Sequence, residues 1–249
     1  MNSRSAIGAE ALMLKQDHGF ALGVREMSVF FKAPHDYARR RKQALLRLTP
    51  DLVLGQAFHK LLLSNARDRL RISNEVADTS GVKVVTAFRQ DDITLLSPVD
   101  MWRLEHMLEN FWQNADIQKI FYNALMYKNC GGIFIEQASG CECFFNADFM
   151  LPEKGLLVDV KTCLDTSPKA IKKEIKRFHY NWQAWWARTG ASLSFEHTFN
   201  DFIFIFVGQN YPFEVVTYYV NPQMLRKTQA ELRPFINMYG QLFEAGLFC

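Results

Sequence analysis

The spacing of apolar residues changes character about midway along the chain. In the first half, apolar side chains recur at helical intervals, and Thr49-Pro50 places a capping residue before a proline. This pattern predicts helices over residues 34–48, 50–62 and 98–127.

The second half of the chain alternates between strands and helices. Short apolar runs bounded by turn residues predict five strands, over residues 131–136, 141–151, 156–161, 202–207 and 213–220. Prolines that follow capping residues predict two more helices, over residues 168–190 and 222–245. The elements of this half follow the order three-strand meander, helix, two strands and final helix. This order indicates an α/β (α+β) fold in which helices cover the faces of a mixed sheet.

Length and composition fit one folded domain. The chain has 249 residues, 49% hydrophobic and 22% charged, and it contains no linker or repeat. We expect a single domain over 1–249, with an N-terminal extension (1–24), a mainly helical part (25–128) and the sheet with its helices (129–249). The first 20 residues lack the apolar stretch of a signal peptide, and no apolar run is long enough to span a membrane. Five cysteines without a Cys-x-x-Cys pair favour a reduced, cytoplasmic setting.

Two charged residues in an otherwise apolar strand are the first candidates for chemistry. Asp159 and Lys161 are two residues apart, so their side chains share one face of the strand. Asp148 precedes Asp159 by eleven residues across a turn, and Glu136 lies on the strand before that. Antiparallel pairing is therefore expected to bring three carboxylates and one lysine together.

Clustered carboxylates without soft donors suit Mg²⁺ or Mn²⁺. A divalent ion polarises a phosphoryl oxygen and lowers the pKa of bound water, and a neighbouring lysine stabilises transition-state charge. This combination favours metal-assisted phosphodiester hydrolysis. The alternative from spacing alone is a surface salt bridge between Lys161 and Asp159 or Glu136.

The same residues resemble a known family. Asp148 followed by Asp159-Val160-Lys161 resembles the Asp…(Asp/Glu)-x-Lys core of the PD-(D/E)xK nuclease superfamily, and more narrowly the nuclease domain of phage-type exodeoxyribonuclease VIII. Four more segments match in order, namely 28–37, Gly55-Gln-Ala-Phe-His59, the strand residue Glu136 and Tyr180-Asn-Trp-Gln183. The resemblance covers residues 25–245, and it departs from the family where Ala147 replaces a proline and Ala187 a tyrosine.

The resemblance implies a restriction-endonuclease-like core and a DNA exonuclease that uses Mg²⁺, with Mn²⁺ as an alternative. The implied metal ligands are His59, Asp148, Asp159 and the Val160 carbonyl, and the implied catalytic residues are Asp148, Asp159, Lys161, Glu136 and Gln183. It also implies 5′-to-3′ digestion from double-stranded DNA ends in phage-type recombination or repair, a ring-shaped homo-oligomer and a single-strand annealing partner. From the residues alone, His59 also fits a hydrogen-bonded core histidine and Gln183 a surface amide.

Net charge is only +3, so any DNA-binding surface must come from local clustering. One cluster follows the candidate strand at helical spacing and consists of Lys169, Lys172, Lys173, Lys176 and Arg177. A second is Arg39-Arg40-Arg41, and Tyr180 of the helix motif is a further candidate DNA contact. Basic faces would bind phosphates, and the alternative is a solvated charged helix surface.

Two other functions remain open. A repair- or CRISPR-associated nuclease of the same superfamily is expected to carry a cluster-binding cysteine set, and the cysteine spacing here matches no such pattern. A nuclease-dead DNA-binding protein is expected to lack an acid or the lysine, whereas Asp148, Asp159 and Lys161 are all present.

Overall fold

A computed structural model describes residues 22–32, 49–64, 66–72, 94–195 and 197–246. The predicted helix over 34–48 and the cluster Arg39, Arg40 and Arg41 lie outside the described residues.

Seven α-helices lie in the described part of the chain. They are α1 (Val24–Lys32), α2 (Pro50–Ser64), α3 (Pro98–Gln113), α4 (Ala115–Phe121), α5 (Pro168–Arg177), α6 (Tyr180–Ser194) and α7 (Pro222–Glu244). Local sequence explains several of their starts. The Ser97 hydroxyl accepts from Asp100 N at 3.0 Å, and Asn221 caps α7 in the same way through Gln223 N at 2.7 Å.

Two sheets are present among the described residues. The strands are β1 (Leu70–Ile72), β2 (Thr94–Leu96), β3 (Tyr127–Ile135), β4 (Glu142–Leu151), β5 (Leu156–Cys163), β6 (Asp201–Gly208) and β7 (Val215–Tyr219). The first two form a short parallel pair, and the other five form one sheet in chain order. Within it only β5 and β6 are parallel, so the sheet is mixed as predicted.

Both faces of the large sheet are buried. One face packs against α1, α5, α6 and α7 through residues such as Phe145, Leu157 and Phe204. The other packs against α2, α3 and α4 through residues such as Val158 and Ile205. The strand β6 is buried on both sides from Phe202 to Gly208, which explains its unbroken apolar run.

Two predicted helices are each divided in the structure. The helix predicted over 98–127 is interrupted at Asn114, whose side chain accepts from Asp116 N at 3.0 Å and so begins α4. The helix predicted over 168–190 is interrupted at His179, which adopts a left-handed conformation with φ 55°. It continues past Gly190, where a Cβ would lie 2.5 Å from the Phe145 ring, so this glycine allows close packing and does not end the helix.

The sequence patterns did not predict α1, β1 and β2, each of which is short or lies near residues outside the described set. No helix in the described ranges is both long and apolar enough to cross a membrane.

Candidate active site

The candidate site lies where β4 separates from β5. The two strands pair only at Phe149, Met150 and Leu151, which face Val158, Leu157 and Leu156 within the described register. Farther along β4, its edge pairs instead with Leu22, whose N–H donates to Glu142 O at 2.9 Å. The second half of β5 therefore runs beside a gap, and its main-chain groups on that edge face side chains.

Val160 shows how the gap is filled. Its N–H donates to Asp148 Oδ2 at 2.7 Å, and its carbonyl oxygen lies 2.8 Å from His59 Nε2. Asp148 Oδ2 is also 3.4 Å from His59 Nε2, so the three residues form one contact group. Two side chains thus replace the strand partner that Val160 would have had in a continuous sheet.

The position of His59 depends on a close approach between α2 and β5. A Cβ at Gly55 would lie 2.5 Å from Thr162 Oγ1, so only glycine allows this approach. The Gly55 carbonyl accepts from His59 Nδ1 at 2.9 Å. The buried Gln209 side chain joins the same elements, because its Nε2 donates to Asp51 O at 2.9 Å and to Thr162 Oγ1 at 3.0 Å.

Asp159 and Lys161 project together from the other side of β5, as strand alternation predicts. Their side chains form an ion pair that is 4% exposed at Asp159 and 20% exposed at Lys161. Gln183, one turn into α6, donates from Nε2 to Asp159 Oδ1 at 2.7 Å. The ammonium group of Lys161 lies 5.0 Å from the centre of the Tyr180 ring, within range of a cation–π contact.

Electrostatics distinguish the two aspartates. Burial alone would raise the pKa of Asp148, but His59 and Lys161 outweigh burial and hold that pKa below its usual range. Asp159 has a raised pKa because burial dominates, with Lys161 opposing the shift and the Asp148 charge adding to it. The pair is therefore arranged so that one carboxylate is firmly ionised and its neighbour is poorly stabilised as an anion.

His59 is held as a cation when nothing else is bound. Burial of the imidazole opposes its charged form, but the Asp148 carboxylate and the Gly55 and Val160 carbonyls raise the pKa of His59 to about 9. Both ring nitrogens face oxygen acceptors, and only a doubly protonated ring can donate to both.

A cleft opens beside these residues. Its volume is about 760 Å³, and its walls include Lys161, Gln183, Glu26, Asn146 and Arg177. Ala187, which stands where the family has a tyrosine, is also part of this wall.

The donor chemistry at the gap fits a divalent cation. His59, Asp148, Asp159 and the Val160 carbonyl offer one nitrogen and several hard oxygens, a set that Mn²⁺ and Mg²⁺ accept. Among the described residues, no three His, Cys, Asp or Glu side chains form a ready-made metal group. One of the four donors is a main-chain oxygen, and Asp159 is held by Lys161 and Gln183.

The expectation that Glu136 joins this cluster is wrong. Glu136 lies in the turn after β3, where its carboxylate accepts from Ala138 N at 3.2 Å, Ser139 N at 2.9 Å and Ser139 Oγ at 2.8 Å. In the β3–β4 register, Asp148 lies level with Asn129, seven residues before Glu136. Because a strand advances about 3.3 Å per residue, Glu136 is more than about 20 Å away along β3.

The predicted basic face is partly realised. Lys169, Lys172, Lys173 and Lys176 are exposed on α5 while Ile171 and Ile175 are buried. Within the described ranges, none of these four lysines forms a salt bridge. Phe178 directly follows the helix and is 47% exposed, and the chain turns at His179, which has a φ of 55°.

Three residues at the site went unnoticed in the sequence. Glu26 of α1 lines the cleft, and Thr162 and Gln209 connect α2 to β5. Gln209 directly follows the buried run of β6, and a polar residue at the end of a buried strand is a signal that could have identified it.

Four cysteines are described, and all are buried and unpaired. Burial raises the pKa of the Cys130 and Cys163 thiols to about 12, so they are inert at neutral pH. The four thiols therefore act as small apolar packing residues.

Comparison with known families decides the affiliation of the chain. Residues 33–246 match the model of a family described as a PDDEXK-like domain of unknown function. The chain belongs to this family. The predicted membership of the PD-(D/E)xK superfamily and the predicted fold class are thereby confirmed, and membership supports a nuclease.

One solved structure supports the fold. A candidate exonuclease from Eubacterium rectale superimposes with a TM-score of 0.63 at 11% identity, over 94% of this chain and 88% of that one. A phage-related exonuclease from Haemophilus somnus 129PT matches 90% of this chain and 96% of its own at 10% identity, with a TM-score of 0.38 that is too low to support an argument. No curated protein matches the sequence.

Proposed function

We propose that this PDDEXK-like chain is a Mg²⁺-dependent deoxyribonuclease that hydrolyses phosphodiester bonds from the ends of duplex DNA. The convergence of Asp148, Asp159, Lys161 and His59 at the gap between β4 and β5 is the observation that carries the proposal. Family membership supports it independently.

Each group in the site has a role that its contacts support. His59, Asp148, Asp159 and the Val160 carbonyl would hold the cation, and His59 must lose a proton before its Nε2 can act as a ligand. When bound, Mg²⁺ supplies a Lewis acid for a phosphoryl oxygen and lowers the pKa of a water molecule. Mn²⁺ is the alternative ion, since it accepts imidazole nitrogen more readily.

Lys161 and Gln183 complete the arrangement on the other side of β5. Lys161 places a positive charge beside Asp159, where negative charge accumulates on a phosphate undergoing hydrolysis. Gln183 holds the Asp159 carboxylate by its 2.7 Å hydrogen bond and so fixes the direction of its second oxygen. This oxygen-rich, lysine-assisted chemistry favours phosphodiester hydrolysis over a structural ion pair.

Duplex DNA would approach across α5. The α5 lysines follow β5 directly in the chain, and Arg177 at the end of the same helix reaches the wall of the cleft. Tyr180 lines the cleft and its ring contacts Lys161, which favours a supporting role for the ring beside the proposed DNA path. Digestion in the 5′-to-3′ direction, a ring-shaped oligomer, an annealing partner and a role in phage-type recombination or repair stay predictions of the resemblance.

Digestion of an end-labelled linear duplex beside a covalently closed circle of the same sequence tests the proposal. We expect loss of the linear DNA with Mg²⁺ and no loss with EDTA, while the circle survives in both. The variant Asp159→Asn serves as the matched control for contaminating nucleases.

Two outcomes would contradict the proposal. Cleavage of the closed circle at the rate of the linear DNA would show an endonuclease. Equal cleavage by wild type and Asp159→Asn would place the activity outside this site.

A further inference from the structure

A second cavity lies on a different face of α6 from the catalytic cleft. It has a volume of about 670 Å³ and lies between α6, α7 and the first residues of β6. Its walls include Arg188, Arg226 and Arg233, together with Trp185 and Gln229. We call it the arginine cavity. The cleft is lined by Gln183 and Ala187 of the same helix, so the two cavities share α6 but not its wall residues.

Among the described residues, the three arginines form no close ion pair. Arg226 and Arg233 are exposed and are seven residues apart on α7, which places them on one side of that helix. Arg188 is half-buried, and its Nε donates to the Phe199 carbonyl at 2.8 Å. In the described part of the chain, no carboxylate lies within 4.0 Å of any of the three guanidinium groups.

Two acidic residues, Glu136 and Asp201, also line the cavity, and they neutralise little of its positive charge. The Glu136 carboxylate is occupied by the hydrogen bonds of its own turn. Asp201 interacts with Arg188 only at longer range, and burial still lowers the pKa of the Arg188 guanidinium. The partly desolvated Arg188 and the two exposed guanidinium groups thus give the cavity a positively charged wall that an anion would stabilise.

Arginine clusters of this kind suit phosphate, because the planar guanidinium group donates two parallel hydrogen bonds to phosphate oxygens. The cavity also offers the half-buried Trp185 ring for stacking and the Gln229 amide for hydrogen bonds to a base edge. Its volume falls within the range of small-molecule sites. We propose that the arginine cavity binds a nucleoside monophosphate, with the arginines on the phosphate and Trp185 against the base.

This inference does not depend on the proposed function, because binding can be measured without catalysis. The full chain is titrated with deoxyadenosine monophosphate in EDTA, and the heat of binding is followed by calorimetry. Binding is expected to saturate with a Kd below about 10 mM. Arg226→Gln and Arg233→Gln are each expected to weaken binding about tenfold, since each removes a charge-assisted contact. Lys227→Gln is the matched control, because Lys227 adjoins Arg226 on α7 but lines a different cavity.

Titrations with other ligands and with a variant of the cleft show which part of the nucleotide is recognised and where it binds. Deoxyadenosine is expected to bind too weakly to detect, and inorganic phosphate more weakly than the nucleotide. Asp159→Asn is expected to bind the nucleotide like wild type, whereas loss of binding there would place the ligand in the catalytic cleft. The inference fails if binding does not saturate or if the arginine variants bind the nucleotide like wild type. It also fails if phosphate alone binds as tightly as the nucleotide, or if a single-stranded oligonucleotide displaces the nucleotide at far lower concentration.

Discussion

The two halves of β5 have opposite environments. Leu156, Leu157 and Val158 pair with β4 on one side and β6 on the other, and all three side chains are buried and apolar. Asp159 and Lys161 pair with β6 alone, because β4 has moved away within the described register. One strand therefore begins as core and ends as candidate active site.

The difference shows how a fold provides main-chain groups for chemistry without leaving them unsatisfied. In the paired half, strand neighbours satisfy the main chain. In the unpaired half, Asp148 and His59 contact the Val160 N–H and carbonyl, which brings those two side chains next to Asp159 and Lys161. The same contacts thus satisfy the main-chain hydrogen bonds of β5 beside the gap and bring the residues of the candidate site together.

The largest expected effect comes from removing a carboxylate in the unpaired half. Asp159→Asn should lower the rate of linear DNA cleavage by at least about 10³-fold, because a cation contributes several kcal/mol to such reactions. The amide keeps the shape of the side chain and relieves the repulsion from Asp148, but it also removes the ion pair with Lys161, so urea unfolding is measured alongside to separate a loss of cleavage from a loss of folding. Glu153→Gln, in the connection between β4 and β5, is the control and should cleave like wild type.

Lys161→Ala should act on turnover and spare affinity. A lysine that stabilises transition-state charge contributes about 10²- to 10³-fold to the rate, while DNA binding should stay within about threefold of wild type. Single-turnover cleavage and a binding titration in Ca²⁺ separate the two quantities. If affinity falls and the single-turnover rate does not, Lys161 only holds phosphate.

How far sequence alone predicts this site follows from the same comparison. Strand alternation places Asp159 and Lys161 together without further information, and the structure agrees. The proximity of Asp148 followed from antiparallel pairing across a short turn. The position of His59, 101 residues before Val160, came from the family resemblance, because contacts at that separation leave no periodic signal.

The errors have physical causes too. Glu136 was placed at the site because the sequence shows that two strands are neighbours but not how far along each strand a residue lies. The division between α5 and α6 depends on His179 in a left-handed conformation, a position where glycine or asparagine would have given a warning. The division between α3 and α4 did have such a signal, since Asn114 is a capping residue.

A substitution in the paired half of β5 should lower stability and leave cleavage nearly unchanged. Leu157→Ala removes a fully buried side chain and should lower the free energy of unfolding by about 2–5 kcal/mol. Well below its unfolding midpoint, the variant should cleave within about twofold of wild type, because its side chain contacts the core and not the site. Leu164→Ala, just past β5 and 55% exposed, is the control for both measurements. A loss of turnover without loss of stability would show that the two halves are not separable.

His59 links pH to stability when no metal is bound. Its folded-state pKa is about 9 against an ordinary value of 6.5, so its stabilising contribution is complete below pH 6.5 and is lost as the pH rises through 9. In EDTA, the stability difference between wild type and His59→Gln should shrink by about 1–3 kcal/mol from pH 6 to pH 9.5. Asp148→Asn removes the carboxylate that raises the pKa of His59, and it should flatten this dependence. A difference that is the same at both pH values would make His59 an uncharged core residue.

The smallest expected effect concerns α5, which begins soon after the unpaired half of β5. Changing Lys169, Lys172, Lys173 and Lys176 to Gln should flatten the slope of log affinity against log salt by about 0.9 per lost phosphate contact. The loss should be equal for all DNA sequences, since phosphate contacts carry no base information. Folding should hardly change, because these side chains are exposed and lie opposite the buried Ile171 and Ile175. Lys119→Gln on α4, across the sheet, is the control. An unchanged slope would mean that α5 is only a solvated face, and the DNA path would then have to be sought along other basic residues such as Arg39, Arg40 and Arg41.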